Sequence, residues 1–475
     1  MCSILRTVLC AGSVLLLALL LLAGLGFLDR LAVPPKPDLP ATLNWGSSAT
    51  GGGDSEAVKP MKVSVSDTDL NSLKSRLRAF KFVEPLENSA FEYGFNGRFM
   101  QQVVTYWLEK YDWRQWEKKI NSFENYLTRI EGLQVHFMHV KPKKAKKRAP
   151  LLLLHGWPGS VIEFHKLLPL LTTPDSDGFA FEVVAASLPG FAWSEAPKKR
   201  GFDPSAAARV MDKLMGRLGF HKYYVHGGDW GSIIGHVMAI EFQERLLGFH
   251  TSMPMQSFRH PSILLQMVAG SFLPAGVLFD KRDCDKIYPF FGKLGDLMRE
   301  SGYFHLQATR PDSVGHALSD SPVGLAAYIL EKFSVWTNLQ NRFSKDGNLV
   351  GPKAAFTLDE LLTNVMIYWT TGSITSSMRF YKEDLSIEAS SNYASIPSQV
   401  PYGVASFPHE LIRVPEDYVR KTHPNLLLYT DFDDRGGHFA ALELPELVAK
   451  EIRKFVHLAE AFHSAAAKRG RKSEL

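Results

Sequence analysis

A glycine-rich turn with an aspartate at its centre is the feature that most restricts the fold of this chain. The turn is Gly-Gly-Asp-Trp-Gly at residues 227–231. Residues 223–226 before it predict a short buried strand, and residues 232–242 after it predict a helix because their apolar positions repeat every 3.6 residues. Small residues two positions before and after the aspartate allow a sharp strand–turn–helix connection that projects Asp229 above a sheet edge. The pattern therefore indicates a nucleophile elbow in an α/β protein.

The aspartate at this turn determines which chemistry the elbow can perform. An unperturbed aspartate has a pKa of about 3.9, so the attacking group is already ionised at neutral pH. A carboxylate can displace a leaving group at a saturated carbon and become an alkyl ester. We therefore expect Asp229 to act on an alkylating electrophile. The alternative is an aspartate that only forms the turn or caps the following helix.

A second motif follows a continuous apolar run at residues 151–154, which is typical of a parallel strand covered on both faces. The motif is His-Gly-Trp-Pro-Gly at residues 155–159. In the α/β-hydrolase arrangement, one oxyanion-binding N–H comes from this loop and another from the residue after the nucleophile. These would be the backbone N–H groups of Trp157 and Trp230. Taken alone, the motif is equally consistent with an ordinary turn at the end of a strand.

The C-terminal part of the chain supplies a candidate base and acid in the order that the fold requires. Residues 425–430 predict a last buried strand, and His438 follows it after two glycines. Glu410 lies just past a predicted strand at residues 400–407, on the carboxyl edge where the sites of parallel sheets gather. We therefore predict the order Asp229, Glu410, His438. The other acidic residues considered are Glu383, Asp384, Glu388, Glu416, Asp417, Asp431, Asp433 and Asp434.

The predicted architecture is an α/β-hydrolase fold with a helical lid, an N-terminal helical extension and one N-terminal transmembrane helix. We expect strands to begin at Gln134 and one long lid helix at residues 315–336. The predicted segments are a membrane anchor at 1–30, a flexible stalk at 31–60, a wrapping region at 61–130, the first half of the core at 131–253, the lid at 254–390 and the second half of the core at 391–475.

The anchor prediction depends on residues 7–28, which contain no charged residue and are long enough to cross a bilayer as a helix. A cleaved signal peptide is the competing interpretation, but it would have a shorter apolar core and a better cleavage site. The Pro-, Gly- and Ser-rich stretch that follows predicts the stalk. In the wrapping region, Ser66 or Thr68 is expected to cap a helix.

Several further segments resemble the microsomal epoxide hydrolase family, which includes the insect juvenile hormone epoxide hydrolases, and the resemblance covers nearly the whole chain. The resemblance implies that Asp229 is the nucleophile, that Glu410 and His438 form the charge relay, and that Tyr303 and Tyr381 hold the epoxide oxygen. From the residues alone, Tyr328 and Tyr368 are equally plausible. The segments are Phe-Glu-Tyr-Gly-Phe-Asn at 91–96, Glu-Ser-Gly-Tyr at 300–303, Asp-Ser-Pro-Val-Gly-Leu at 320–325 and Arg-Phe-Tyr-Lys-Glu at 379–383.

The family resemblance implies hydrolysis of hydrophobic epoxides to vicinal diols, in an enzyme of the endoplasmic reticulum membrane with its body in the cytosol. The substrates would be water and a terpenoid hormone or xenobiotic epoxide, so that juvenile hormone catabolism and detoxification are both open. The alternatives are a haloalkane dehalogenase, which would use the same aspartate and histidine with tryptophan N–H groups for the halide, and an inactive binding protein of the same fold.

The sequence predicts no cofactor, metal or nucleic-acid partner. It contains no H-E-x-x-H spacing, no cysteine pair outside the N-terminal tail and no nucleotide fingerprint. A basic stretch at residues 141–148 predicts a solvated hairpin loop, because no aromatic platform accompanies it. His409, beside Glu410, departs from the family pattern. It could compete for the carboxylate, but we expect it to point away because neighbours in an extended segment alternate faces.

Overall fold

The computed structural model describes residues 33–39, 44–47, 55–255, 261–273, 277, 280–386 and 392–473. The predicted anchor at residues 7–28 lies outside these residues, as does part of the predicted stalk. Within the described ranges, no helix combines the length and apolar character that a membrane crossing requires.

The described residues form a nine-stranded sheet in the order β1-β2-β3-β5-β4-β6-β7-β8-β9. The strands from β4 to β9 pair in parallel, whereas β1, β2, β3 and β5 pair antiparallel with one another. This is the α/β-hydrolase fold predicted from the motif order. The strands are β1 (Lys59–Met61), β2 (Asn125–Ile130), β3 (Leu133–Val140), β4 (Lys147–Leu154), β5 (Phe179–Ala186), β6 (Tyr223–Gly227), β7 (Leu246–Thr251), β8 (Tyr402–Ser406) and β9 (Leu426–Asp431).

Two sequence expectations about the edge of the sheet are wrong. Strands begin before Gln134, since β1 and β2 both precede it. Strand β2 turns back onto β3 through Glu131 and Gly132, which both have positive φ (49° and 78°). Such a two-residue turn matches the twist of a hairpin. The basic stretch at 141–148 is exposed but is not a hairpin. It connects β3 to β4, which are separated in the sheet by β5, and residues 147 and 148 already belong to β4.

The parallel register brings the two predicted motifs together. Leu154, the last residue of β4, pairs with Gly227, the last residue of β6. The four leucines at 151–154 are buried, as expected for a central strand. The loop that follows β4 and the elbow that follows β6 therefore leave the sheet side by side at its carboxyl edge.

The described residues also form α-helices. They are α1 (Asp67–Arg78), α2 (Gly97–Glu109), α3 (Trp113–Ile120), α4 (Leu167–Thr172), α5 (Pro204–Arg217), α6 (Asp229–Glu241), α7 (Pro261–Ala269), α8 (Lys281–Ile287), α9 (Phe290–Glu300), α10 (Gly302–Thr309), α11 (Pro311–Asp320), α12 (Pro322–Val335), α13 (Leu358–Thr371), α14 (Ile374–Ser386), α15 (Glu416–Thr422), α16 (Ala440–Glu443) and α17 (Pro445–Ser473).

The segment between β7 and β8 contains α7 to α14 and is the helical insertion that we call the lid. The single lid helix expected at residues 315–336 is two helices, α11 and α12. They are separated at Ser321, whose side chain accepts a hydrogen bond from Gly324 N and caps α12. Pro322 occupies the first turn, where the missing N–H costs no hydrogen bond.

The N-terminal helices α1, α2 and α3 pack on the lid helices α12 and α13. Ser66 caps α1 by accepting from Asp69 N, and Leu73 and Leu77 of that helix are buried. The Tyr111 hydroxyl lies 2.9 Å from the Thr363 hydroxyl of α13. Residues far apart in the chain therefore fix the lid in place.

Candidate active site

Asp229 lies at the first position of α6 with a φ of +47°, a left-handed conformation that is strained for a residue with a side chain. The turn requires glycine at positions 227 and 231, because a Cβ atom there would collide with the backbone. A Cβ on Gly227 would lie 2.4 Å from the Gly231 carbonyl, and one on Gly231 would lie 2.1 Å from the Leu154 carbonyl oxygen. The turn therefore closes as a nucleophile elbow does, and strain at its centre is a feature of functional sites.

The Asp229 carboxylate contacts the loop that follows β4. Trp157 N donates to Asp229 Oδ1 over 2.7 Å. A Cβ on Gly156 would lie 2.1 Å from the same oxygen, so the loop must have glycine there. The other predicted donor, Trp230 N, lies in the first turn of α6, where backbone N–H groups lack intrahelical acceptors.

His438 lies between two carboxylates. Its Nδ1 is 2.6 Å from Glu410 Oε1, and its Nε2 is 3.5 Å from Asp229 Oδ2. Burial alone would lower the pKa of His438, but the charge of Glu410 and the interactions with Asp229 raise it well above its ordinary value. The structure thus brings together the nucleophile, acid and base that the sequence predicted in that chain order.

His409 does not take the Glu410 carboxylate from His438. Glu410 Oε1 accepts from His438 and from Leu411 N, and Glu410 Oε2 is buried without a hydrogen-bond partner. The His409 backbone instead bridges to the loop before His438, where its N–H donates to Gly436 O over 3.2 Å.

Two lid helices bring Tyr303 of α10 and Tyr381 of α14 to the same place. Their ring centroids are 6.0 Å apart, and Trp157 lies 5.4 Å from Tyr303 and 5.8 Å from Tyr381. Burial first, and then the negative charge of Asp229, raise the pKa of Tyr303. Burial also raises the pKa of Tyr381, with further contributions from Tyr303 and Asp229. Both phenols are therefore neutral over the physiological pH range.

The hydroxyls of the two tyrosines that sequence could not exclude bind other groups. The Tyr368 hydroxyl donates to Gly159 O over 2.7 Å. The Tyr328 hydroxyl accepts from Gln307 Nε2 over 3.2 Å. The Tyr381 hydroxyl, in contrast, is buried without a hydrogen-bond partner of standard geometry.

Comparison with known proteins agrees with this geometry. Residues 58–164 match the family described as epoxide hydrolase N terminus, and residues 149–463 match the α/β-hydrolase fold. "Epoxide hydrolase 1" of Sus scrofa is 45% identical over 425 residues, which is 88% of this chain and 92% of the relative. The chain belongs to the epoxide hydrolase family.

Other relatives within the family include insect proteins. "Juvenile hormone epoxide hydrolase 2" of Ctenocephalides felis is 44% identical, covering 89% of this chain and 91% of the relative. The crystal structure of juvenile hormone epoxide hydrolase from the silkworm Bombyx mori superposes with a TM-score of 0.85 at 38% identity. That match covers 90% of this chain and 100% of the silkworm chain.

This family member also contains site residues that the sequence analysis did not find. Asn364 of α13 donates from Nδ2 to Pro158 O over 2.7 Å and accepts from the Ser160 hydroxyl over 2.8 Å. Burial raises the pKa of Glu163 to about 8, and the charges of His438 and Asp229 also act on it. Asn364 could have been noticed in the sequence as a polar residue among the apolar residues of α13.

No group of three or more His, Cys, Asp or Glu side chains within the described ranges could hold a metal ion. The indole N–H groups of Trp157 and Trp230 are buried without a hydrogen-bond partner of standard geometry, and that of Trp230 lies near the Tyr381 hydroxyl. The site can therefore offer a nucleophilic carboxylate, a charge relay, neutral phenols and unpaired N–H donors.

Proposed function

We propose that this protein is a membrane-anchored epoxide hydrolase that converts hydrophobic epoxides to vicinal diols through an ester on Asp229. The observation that carries the proposal is the placement of His438 between Glu410 and Asp229, with Tyr303 and Tyr381 brought together beside the same loop. The names of the pig and flea relatives support the epoxide as substrate.

In the first step, Asp229 Oδ2 attacks a ring carbon and the carbon–oxygen bond of the epoxide breaks. Oδ1 is held by Trp157 N, so Oδ2 is the oxygen left to attack. The ring oxygen leaves as an alkoxide and takes a proton from Tyr303 or Tyr381, leaving a phenolate and a hydroxyalkyl ester. Neutral phenols are suited to this task because they can both hydrogen-bond the oxygen and donate to it.

In the second step, His438 removes a proton from water as the water oxygen attacks Cγ of Asp229. The backbone N–H groups of Trp157 and Trp230 stabilise the oxyanion. The ester bond then breaks, and the former Oδ2 leaves with the diol. The two protons of water end on this leaving oxygen and on the tyrosine phenolate, and the water oxygen remains in the carboxylate.

Ester formation itself prepares His438 to act as a base. In the free enzyme, the charges of Glu410 and Asp229 hold the pKa of His438 high. Alkylation removes the charge of Asp229, so one of the two raising effects disappears and burial lowers the pKa of the imidazole. The imidazolium then releases a proton to solvent, and it takes one back when hydrolysis restores the charge of Asp229. The base is thus formed only after its substrate, the ester, exists.

Replacement of His438 by glutamine tests the two-step route. We expect the His438→Gln variant to be alkylated and to accumulate an ester at Asp229 in mass spectrometry, while turnover falls by about 10² to 10⁴-fold. The Asp229→Asn variant is the matched control and should show no adduct. A single turnover of the wild-type protein in oxygen-18 water should label Asp229 and leave the first diol unlabelled. Label in that first diol would contradict the ester route.

The dehalogenase alternative has one observation in its favour, the two unpaired indole N–H groups of Trp157 and Trp230. The paired phenols favour the epoxide, because a halide leaves without needing a proton. Comparison of diol formation with halide release from an alkyl halide of the same carbon skeleton separates the two. Halide release at a comparable rate would favour a dehalogenase, and neither product would favour a binding protein.

The proposed location is the endoplasmic reticulum membrane, with residues 7–28 as the anchor and the catalytic body in the cytosol. The apolar, uncharged character of this run supports the anchor. Deletion of residues 1–30 should release the protein from membranes on alkaline extraction, whereas the full chain should stay bound.

Competition between a juvenile-hormone-type terpenoid epoxide and a compact aryl epoxide ranks the two proposed substrate classes.

A further inference from the structure

Glu443, at the end of the short helix α16, binds the backbone on both sides of His438. Its Oε1 accepts from Phe439 N over 2.9 Å, and its Oε2 accepts from Gly437 N over 3.1 Å. One carboxyl group therefore takes the two N–H groups that flank the predicted base. Glu443 lies five residues after His438 and does not contact Asp229 or Glu410 directly in the described hydrogen bonds.

The segment that carries His438 lies between β9 and α16, outside both elements, and Gly437 forms an isolated β-bridge with His409. The N–H of His438 itself donates to Trp336 O at the end of a lid helix, over 3.1 Å. The three successive N–H groups of residues 437–439 are thus fixed by only two partners, one of them Glu443. Removal of the Glu443 carboxyl group would free two of these three N–H groups.

This arrangement holds the backbone of His438 together with the bridge from His409 to the same loop, and Glu443 is the side chain that binds on both sides of His438. The Nε2 atom of His438 lies 3.5 Å from Asp229 Oδ2. A displacement of about 1 Å in a catalytic group can cost about 10²-fold in rate. Burial raises the pKa of Glu443 to about 8, against the opposing effect of the two N–H groups, so its enclosure is unfavourable without them.

We propose that Glu443 is a positioning residue for the hydrolysis half of the reaction. It fixes the backbone on both sides of His438 and so keeps the imidazole within reach of the Asp229 ester and its attacking water. This role rests on the two-step function proposed above. The alkylation step needs no base and is independent of Glu443.

The test separates the two steps in Glu443→Gln and Glu443→Ala, using the full-length protein and a compact aryl epoxide. Stopped-flow tryptophan fluorescence follows ester formation and decay, because Trp157 and Trp230 adjoin Asp229. We expect alkylation within about threefold of wild type and hydrolysis slowed about 10 to 10²-fold in Glu443→Ala. Glu443→Gln keeps one acceptor oxygen, so about three- to tenfold is expected.

Steady-state kinetics give a second readout that a general loss of stability would not produce. In a route with a covalent intermediate, slower hydrolysis lowers kcat and KM together, while kcat/KM, which reports alkylation, is retained. Glu446→Gln is the matched control, since Glu446 is an exposed glutamate three residues further along and should leave both steps unchanged.

Each outcome supports or overturns the proposal. An ester that forms normally and decays slowly supports it. Unchanged decay in the alanine variant, or an equal loss in both steps, overturns the positioning role and leaves the ester route intact. If the alanine variant does not fold, the glutamine variant decides on the same criteria. The absence of an ester in every variant, His438→Gln included, overturns the proposed function and the positioning role with it.

Discussion

Tyr303 and Tyr381 are separated by more than seventy residues in the sequence, yet their rings meet beside Trp157. Each carries a phenol that burial keeps neutral, and both lie beside the carboxyl group that we propose as the nucleophile. At the scale of single residues, the site therefore places proton donors next to the proposed attacking group.

Removal of either phenol should slow ring opening. We expect Tyr303→Phe and Tyr381→Phe each to reduce the alkylation rate by about 10²-fold, since each removes a proton donor from the transition state. Ester decay should change much less. Stopped-flow kinetics measure both steps. Tyr328→Phe is the control, because that hydroxyl already accepts from Gln307. Equal losses in all three variants would show that the phenols only pack.

At the scale of elements, helix α13 of the lid holds the loop that follows β4. Asn364 binds Pro158 O and the Ser160 hydroxyl, and Tyr368 binds Gly159 O. Three consecutive residues of the loop are thus fixed by one helix face. Because Trp157 N, which binds Asp229, immediately precedes them, the geometry of the predicted oxyanion site depends on the docking of the lid.

Replacement of Asn364 tests this dependence. In Asn364→Leu, the buried Pro158 carbonyl and Ser160 hydroxyl lose their partner, at about 1–3 kcal/mol of unfolding free energy for each group. We expect a lower midpoint of urea unfolding and slower ester hydrolysis. Asn364→Asp keeps an acceptor for Ser160 but can donate to Pro158 O only when it is protonated, so its effect should grow as pH rises. If Asn364→Leu is as stable and as active as wild type, the loop does not depend on α13.

At the scale of the whole molecule, histidines in and beside the sheet are buried in the neutral form. Burial lowers the pKa of His136 to about 3 and the pKa of His155 and His226 to about 4. The Nδ1 atoms of His226 and His250 are 2.9 Å apart, so one ring must accept the proton of the other. Protonation of either ring would place a charge in the core.

These histidines should make the protein sensitive to acid. Between about pH 6.5 and 4 the unfolded chain binds protons that the folded chain cannot, so the unfolding free energy falls as pH falls. Each such histidine contributes about 1.4 kcal/mol per pH unit. His438 acts in the opposite direction, because its pKa is raised and its contribution is lost only as pH rises through that value.

Urea unfolding at several pH values between 7 and 4 measures this slope. His226→Gln removes one titrating group and should reduce the slope by about one histidine's share. His221→Gln is the control, since His221 is exposed and should leave the slope unchanged. An unfolding free energy that stays constant over this range would contradict the expectation.

The sequence determined the fold and the positions of Asp229, Trp157 and His438, because these depend on local requirements. A sharp elbow needs glycines at fixed offsets, and strand order places the ends of β4 and β6 side by side. In chain order, His438 is the first histidine after the last strand. Glu410 could be preferred from its place at a strand end, but only its 2.6 Å contact with His438 separates it from the other acids.

Tertiary structure alone decided the features that depend on segments distant in the chain. The family resemblance points to Tyr303 and Tyr381, but only the packing of the lid helices brings their rings together beside Trp157, which no local pattern encodes. The same holds for Glu443 and Asn364, because a sequence does not reveal the distant groups that their side chains bind. The physical reason is that backbone conformation is set by neighbouring residues, whereas side-chain partners are set by long-range packing.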